Sequence, residues 1–162
     1  MATAYRRPLR PPFVRKTLAT ACLLAALALQ TAQAATYAVS TEAELRQAIL
    51  DVNATPGAHF IDLRANITLT NSLPPLLNTV TLRGNNRTID GQGQHQLLVV
   101  GTDDTGGGPR ILVQITNLTL TGGLAAGGDG ADGGGGGLGA GGALLVGSRA
   151  DVTLSNVKVL DS

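Results

Sequence analysis

Two adjacent carboxylates, Asp103-Asp104, are the side chains of this sequence best suited in type to chemistry. Glycoside hydrolysis needs a pair of carboxyl groups in complementary roles, and two aspartates can supply both. Neighbours on an extended strand point to opposite faces, however, and this pair stands in the glycine-rich stretch Thr102 to Arg110. It reads as a solvated turn. His59 precedes an apolar run and His95 follows Gly91-Gln92-Gly93-Gln94, neither beside a recognisable nucleophile or carboxylate, so both read as loop histidines. Arg83, Arg87 and Arg110 could line a groove for an acidic sugar, but no spacing brings them together. No catalytic, cofactor-binding or metal-binding residue is assigned, and no cofactor is implied.

A further pattern concerns calcium. Gly127-Gly128-Asp129-Gly130-Ala131-Asp132 matches the first six places of the nonapeptide G-G-x-G-x-D-x-U-x, whose repeats bind calcium in a β-roll. Gly134 stands where the large aliphatic residue belongs, and a second copy is missing. Between Gly122 and Gly142, 13 of 21 residues are glycine, which gives high backbone entropy and few side chains to bury. A surface loop over 122–142 is the expectation.

The elements that would position any such group are repeats. Val113-Gln114-Ile115-Thr116-Asn117-Leu118-Thr119-Leu120 overlays Val152-Thr153-Leu154-Ser155-Asn156-Val157-Lys158-Val159. Aliphatic alternation on both sides of the Asn predicts strand, bend, strand, because Asn readily takes the left-handed conformation. Weaker echoes begin at Val80-Thr81-Leu82-Arg83, with Gly84 at the bend, and at Ile61-Asp62-Leu63-Arg64. The starts lie 19, 33 and 39 residues apart, and setting aside Thr102 to Arg110 and Leu124 to Ala140 reduces the longer intervals to 24 and 22. A period near 20 residues built from strand-length pieces predicts a β-solenoid, each unit burying its apolar face on the next. Short strands with regular turns would also suit a β-sandwich, but a sandwich has no reason to repeat one Asn-centred bend.

Met1 to Ala34 has the form of a secretory signal peptide: Arg6, Arg7, Arg10, Arg15 and Lys16, then apolar Leu18 to Leu29, then Ala32-Gln33-Ala34. The apolar run is shorter than the roughly 20 residues a membrane-spanning helix needs. Removing this leader also removes the sole cysteine, Cys22. Seven basic residues then face all eleven carboxylates, a net of −4 in place of +1 for the 162-residue chain. A mildly acidic chain has no basic stripe for nucleic acid. At 43% hydrophobic and 14% charged it is not a disordered composition, and 2% aromatic suits a core of stacked Val, Ile and Leu.

Residues 35–58 predict a short strand and a helix. Thr41-Glu42-Ala43-Glu44 is a capping box, and Leu45, Ala48, Ile49 and Val52 fall on one helical face. Such a helix is placed to close the open end of the apolar interior. Residues 59–162 would then form about four coils.

The leader, the helix, Val80-Thr81-Leu82-Arg83-Gly84, the glycine-rich insertion, and Gly141-Gly142-Ala143-Leu144 before Val152-Thr153-Leu154-Ser155-Asn156 together resemble polymorphic outer-membrane proteins and related autotransporter passenger domains. The resemblance implies an all-β fold, a right-handed parallel β-helix of the pectin-lyase-like type. It implies export through the inner membrane, then secretion or display at the outer-membrane surface. Membrane association would run only through a downstream barrel absent from this sequence. The expected role is adhesion or surface display toward a surface or glycan ligand, without catalysis. The alternatives are the N-terminal part of a polysaccharide lyase or glycoside hydrolase, and a structural stalk. A chain stopping at Ser162 would leave its last coil open as a template for self-association.

Overall fold

A computed structural model of the chain describes residues 34–101, 110–125 and 141–162. The leader up to Gln33, the Asp103-Asp104 pair and the calcium-like Gly127–Asp132 run lie outside the described residues. The fold is all-β with one helix. Strand β1 (Thr36–Val39) leads to helix α1 (Glu42–Ala54), then β2 (His59–Leu63), β3 (Ile67–Thr68), β4 (Val80–His95), β5 (Leu98–Val100), β6 (Ile111–Gly123), β7 (Leu144–Val146) and β8 (Ala150–Leu160).

Every strand pairing among the described residues is parallel. One six-stranded sheet runs β1-β2-β4-β6-β8 with β3 also on β4, and β5 and β7 form a second sheet. The registers define three lines of stacked residues. Tyr37, Ile61, Leu82, Ile115 and Leu154 follow one another along the first line. Ile67, Ile89, Leu120 and Val159 form the second. Leu76 bridges Val100, and Leu98–Val100 pairs with Leu144–Val146, to form the third. Parallel strands need long connections between partners; α1 lies between β1 and β2, and from β2 onward residues of the other two lines intervene between successive strands of the first.

Alternation decides which residues face inward. Val113 and Ile115 are buried before Asn117, whereas Leu118 and Leu120 are buried after it. The phase of the alternation therefore slips by one at Asn117, which has φ 51°. A single left-handed residue turns the strand while keeping aliphatic side chains inside on both limbs. Asn156 takes the same conformation, with φ 52°, and its Nδ2 donates to Asn117 Oδ1 at 2.7 Å. The two Asn thus occupy one corner, as the repeat requires.

Two details of the repeat are corrected. His59 pairs with Val80 and Ile61 with Leu82, so the first interval is 21 residues and the echo starts at His59, not Ile61. In β4 the corner is made by Asn85 and Asn86, at φ 51° and 61°, rather than by Gly84. Gly84 serves close approach instead, since a Cβ there would run into the Asn117 carbonyl oxygen and stand 2.6 Å from Leu118 Cα.

The helix packs against β1 and β2, and its docking is polar as well as apolar. Leu45, Ala48, Ile49 and Val52 are buried in the same cluster as the strand aliphatics. Thr41 caps the helix by accepting from Glu44 N–H at 3.2 Å, while the Glu44 carboxylate accepts from Ser40 N–H at 2.7 Å. At the other end, Asn78 Nδ2 donates to the carbonyls of Val52 and Thr55 at 3.0 and 2.7 Å. Asn53 donates to Pro75 O and accepts from Leu77 N–H, both at 2.8 Å. Both ends of α1 are tied to the strand-to-strand segment 70–78, the first through Glu42, whose carboxylate accepts from Thr70 and Asn71 N–H, and the last through Asn78, which satisfies carbonyls that a helix terminus leaves open.

The glycine tract also reads differently at its ends. Gly122 and Gly123 close β6, and a Cβ on Gly123 would stand 2.6 Å from the Gly142 carbonyl carbon and oxygen. Leu97 N–H donates to Gly142 O at 3.0 Å, and Leu124 N–H to His95 O at 3.0 Å. These glycines permit two backbones to meet, so the loop expected over 122–142 is narrower at both margins.

Replacing Asn156 with Val is expected to cost about 2 kcal/mol in a urea titration, since positive φ opposes a β-branched residue. Asn156→Gly, which keeps the conformation and loses only the amide bond to Asn117, should cost less. Equal losses would mean that the backbone conformation contributes nothing.

Candidate functional site

Among the described residues, the corner shared by β4, β6 and β8 presents a polar recess. Asn86, Asn117, Leu118, Thr119, Asn156 and Lys158 line a shallow recess of about 140 Å³. The register explains the convergence: Arg87 lies beside Leu118 and Leu118 beside Val157, so Thr88, Thr119 and Lys158 follow in one outward row. The three Asn are set just before that row by the left-handed turns. Their neighbours lock the corner, with Asn85 Nδ2 donating to Leu63 O at 3.0 Å and Asn66 Oδ1 accepting from Thr88 N–H at 3.1 Å.

Chemically the recess offers amide donors and acceptors, a hydroxyl and one ammonium. Among the described residues, the side chains of Asn86, Thr119 and Lys158 make no hydrogen bond or ion pair. Such a surface suits a hydroxyl-rich ligand carrying a carboxylate, since neutral amides and hydroxyls satisfy sugar hydroxyls and lysine supplies the counter-charge.

The three arginines do not converge. Arg83 is committed to the outer face of the first line, where its guanidinium sits 4.1 Å from the Phe60 ring centroid. Its Nη1 and the Nη2 of Arg64 each approach the Asp62 carboxylate at 3.4 Å. Asp62, with 12% of its side chain exposed, is the hub of this cluster. The cation–π contact and the shared carboxylate hold β2 to β4 and use up the groups a ligand would need. Arg110 pairs with Asp151 at 2.9 Å, joining the starts of β6 and β8. Arg87 is exposed near the corner recess and forms no ion pair among the described residues.

The histidines part company. His59 is no loop residue: it opens β2, is fully buried, accepts from Ala35 N–H at Nδ1 (3.2 Å) and reaches the Thr55 carbonyl through Nε2 (3.0 Å). His95 ends β4 beside Gly123 and is half-buried. Among the described residues, neither makes a hydrogen bond or ion pair with a hydroxyl nucleophile or a carboxylate. Among the described residues no three His, Cys, Asp or Glu side chains gather as a metal site would require.

A second concavity of about 360 Å³ lies between β1 and α1, lined by Thr36 to Val39 with Glu44, Gln47, Ala48 and Asp51. Its two carboxylates oppose an acidic ligand. Sequence reasoning did not single out the corner recess. The repeated Asn was its only visible signal, because Asn86, Thr119 and Lys158 meet only through the parallel register.

Compared with protein-family models, curated proteins and solved structures, the chain finds no match.

Proposed function

We propose that this chain is an exported right-handed parallel β-helix that serves as a surface-displayed or secreted carbohydrate-binding module, of the autotransporter-passenger kind. The supporting observation is the corner recess, where amides from β4 and β6 and the amide and ammonium of β8 stand together. Three stacked lines of aliphatic residues, a corner Asn in successive strands and a helix packed against β1 and β2 support the β-helix reading. The leader-like Met1 to Ala34 supports export. Catalysis has less behind it, since no carboxylate or histidine lines the recess to act as acid or base.

The purified exported protein should bind an acidic oligosaccharide such as oligogalacturonate, measured by isothermal titration. Lys158→Glu should weaken that binding at least tenfold, because a cation facing a carboxylate becomes a like charge. Lys158 is exposed, so the thermal midpoint should stay within a degree or two. Turnover of pectate, with or without calcium, would favour the polysaccharide-active enzyme instead. Binding unaffected by Lys158→Glu would remove the recess from the reading, and no binding to acidic or neutral glycans would leave a structural stalk.

A further inference from the structure

Ala35 is the first residue joined to the sheet. Its carbonyl accepts from Phe60 N–H at 2.8 Å, and its own N–H donates to His59 Nδ1 at 3.2 Å. Because Nδ1 accepts, the ring proton of a neutral His59 sits on Nε2 and is donated to the Thr55 carbonyl at 3.0 Å. Thr55 is the C-cap of α1. That helix carries Glu42 and Glu44 in its first turn and no basic residue in its last. Among the described residues, the negative end of its dipole meets the Asn78 amide and the His59 ring. A fully buried histidine joins this helix end to one particular backbone nitrogen.

That nitrogen is the one a leader cut after Ala32-Gln33-Ala34 would free. We infer that His59 is a built receptor for the α-ammonium group of a mature chain beginning at Ala35. The inference rests on the export reading and adds to it a specific processing position and a site that holds its product. In the processing step an endopeptidase adds water across the Ala34–Ala35 amide. The Ala34 carboxylate departs with the leader, and the Ala35 amine takes up a proton. The new ammonium keeps the donor position of the old amide N–H. Its bond to Nδ1 becomes charge-assisted, roughly twice as strong as between neutral groups. The positive charge reaches the C-terminal end of α1 through the polarised ring, where a cation is favoured. Ala34 is exposed and Ala35 half-buried, so burial rises across the same bond.

The test uses the whole chain expressed in a secreting host. Mass spectrometry of the exported protein should give Ala35 as the first residue. An amine-acylating reagent at neutral pH should then modify the α-amine about tenfold more slowly in the folded protein than in the same protein in urea. His59→Gln should abolish that protection. Nitrogen-15 NMR of the wild type should find His59 with a bare Nδ1 and a protonated Nε2, independently of whether the variant folds. A different first residue, or no cleavage, would overturn the processing reading and this inference with it. An Ala35 amine acylated equally fast folded and unfolded, or a proton on Nδ1, would overturn the receptor and leave export standing.

Discussion

Gly84→Val is expected to destabilise the protein by about 3 kcal/mol, the upper part of the range for forcing extra atoms into a packed interior. The first atom added, Cβ, would already strike the Asn117 carbonyl oxygen and lie 2.6 Å from Cα and Cβ of Leu118. Most of these obstacles belong to backbone rather than to the end of a flexible side chain. Relief therefore requires parting β4 from β6 at the corner, where Arg83 pairs with Thr116 and Arg87 with Leu118. Against a total stability of 5–15 kcal/mol for an ordinary domain, the urea midpoint should fall by roughly 1–3 M, given typical slopes of 1–3 kcal/mol/M. Asn85→Gly offers the contrast. It leaves φ near 51° unstrained and removes only the bond to Leu63 O, so its cost should stay near 1 kcal/mol. If Gly84→Val were as mild as Asn85→Gly, the close approach of β4 and β6 would not be a structural constraint.

Glu42 is the other residue on which much depends. Burial alone would raise its carboxyl pKa, but the hydroxyl and N–H of Thr70, the guanidinium of Arg46 and the N–H of Asn71 outweigh this and lower it from 4.5 to about 2. The contacts are short, 2.7 and 2.9 Å to Thr70 and 2.9 Å to Arg46. The side chain is 16% exposed, but its carboxylate lies at the surface, where water screens these contacts. A carboxyl whose pKa is lower in the folded than in the unfolded state stabilises the fold fully above its unfolded pKa. That contribution, about 3 kcal/mol at most at 1.36 kcal/mol per unit and less once solvent screening of these surface contacts is counted, should disappear as pH falls from about 4.5 to about 2. Glu42→Gln should lose much of it at pH 7 and show a flatter acid limb. Urea midpoints at pH 7, 5, 3 and 2 would show this. Parallel pH profiles for wild type and variant would mean that Glu42 is not what fastens α1 to Thr70 and Asn71.

What the sequence made legible was local. The capping role of Thr41 and the buried stripe Leu45, Ala48, Ile49 and Val52 follow from a 3.6-residue period within one helix. Asn117 and Asn156 could be placed because a left-handed corner favours few residue types. The register of β2 was missed by two residues for a definite reason: a two-residue slip leaves every side chain on the same face, so aliphatic alternation does not distinguish the two alignments. Gly84 was misread because glycine serves both positive φ and close approach, and only the neighbouring strand tells which. The third line was hidden, since Leu98 and Leu144 are 46 residues apart with both insertions between them. His59 was taken for a loop residue because its partners, Ala35 and Thr55, belong to β1's approach and the helix end. The recess was the least legible, for it draws on three strands joined only by register.

The two insertions interrupt the chain at different points of its circuit, one between Val100 and Ile111, the other between Gly123 and Leu144. Each departure is matched by a return that restores the pairing: Ile111 N–H meets Arg149 O, and Gly142 O meets Leu97 N–H. Between those fixed points length can change while every ladder partner stays opposite its own. Closing a loop twice as long costs only about 0.6 kcal/mol more. Insertions and deletions that would scramble a sheet built from hairpins should here be nearly neutral. Divergent descendants of this sequence should therefore differ most in the size of these two segments and least in the strand intervals, and each segment is a natural address for grafting a foreign epitope.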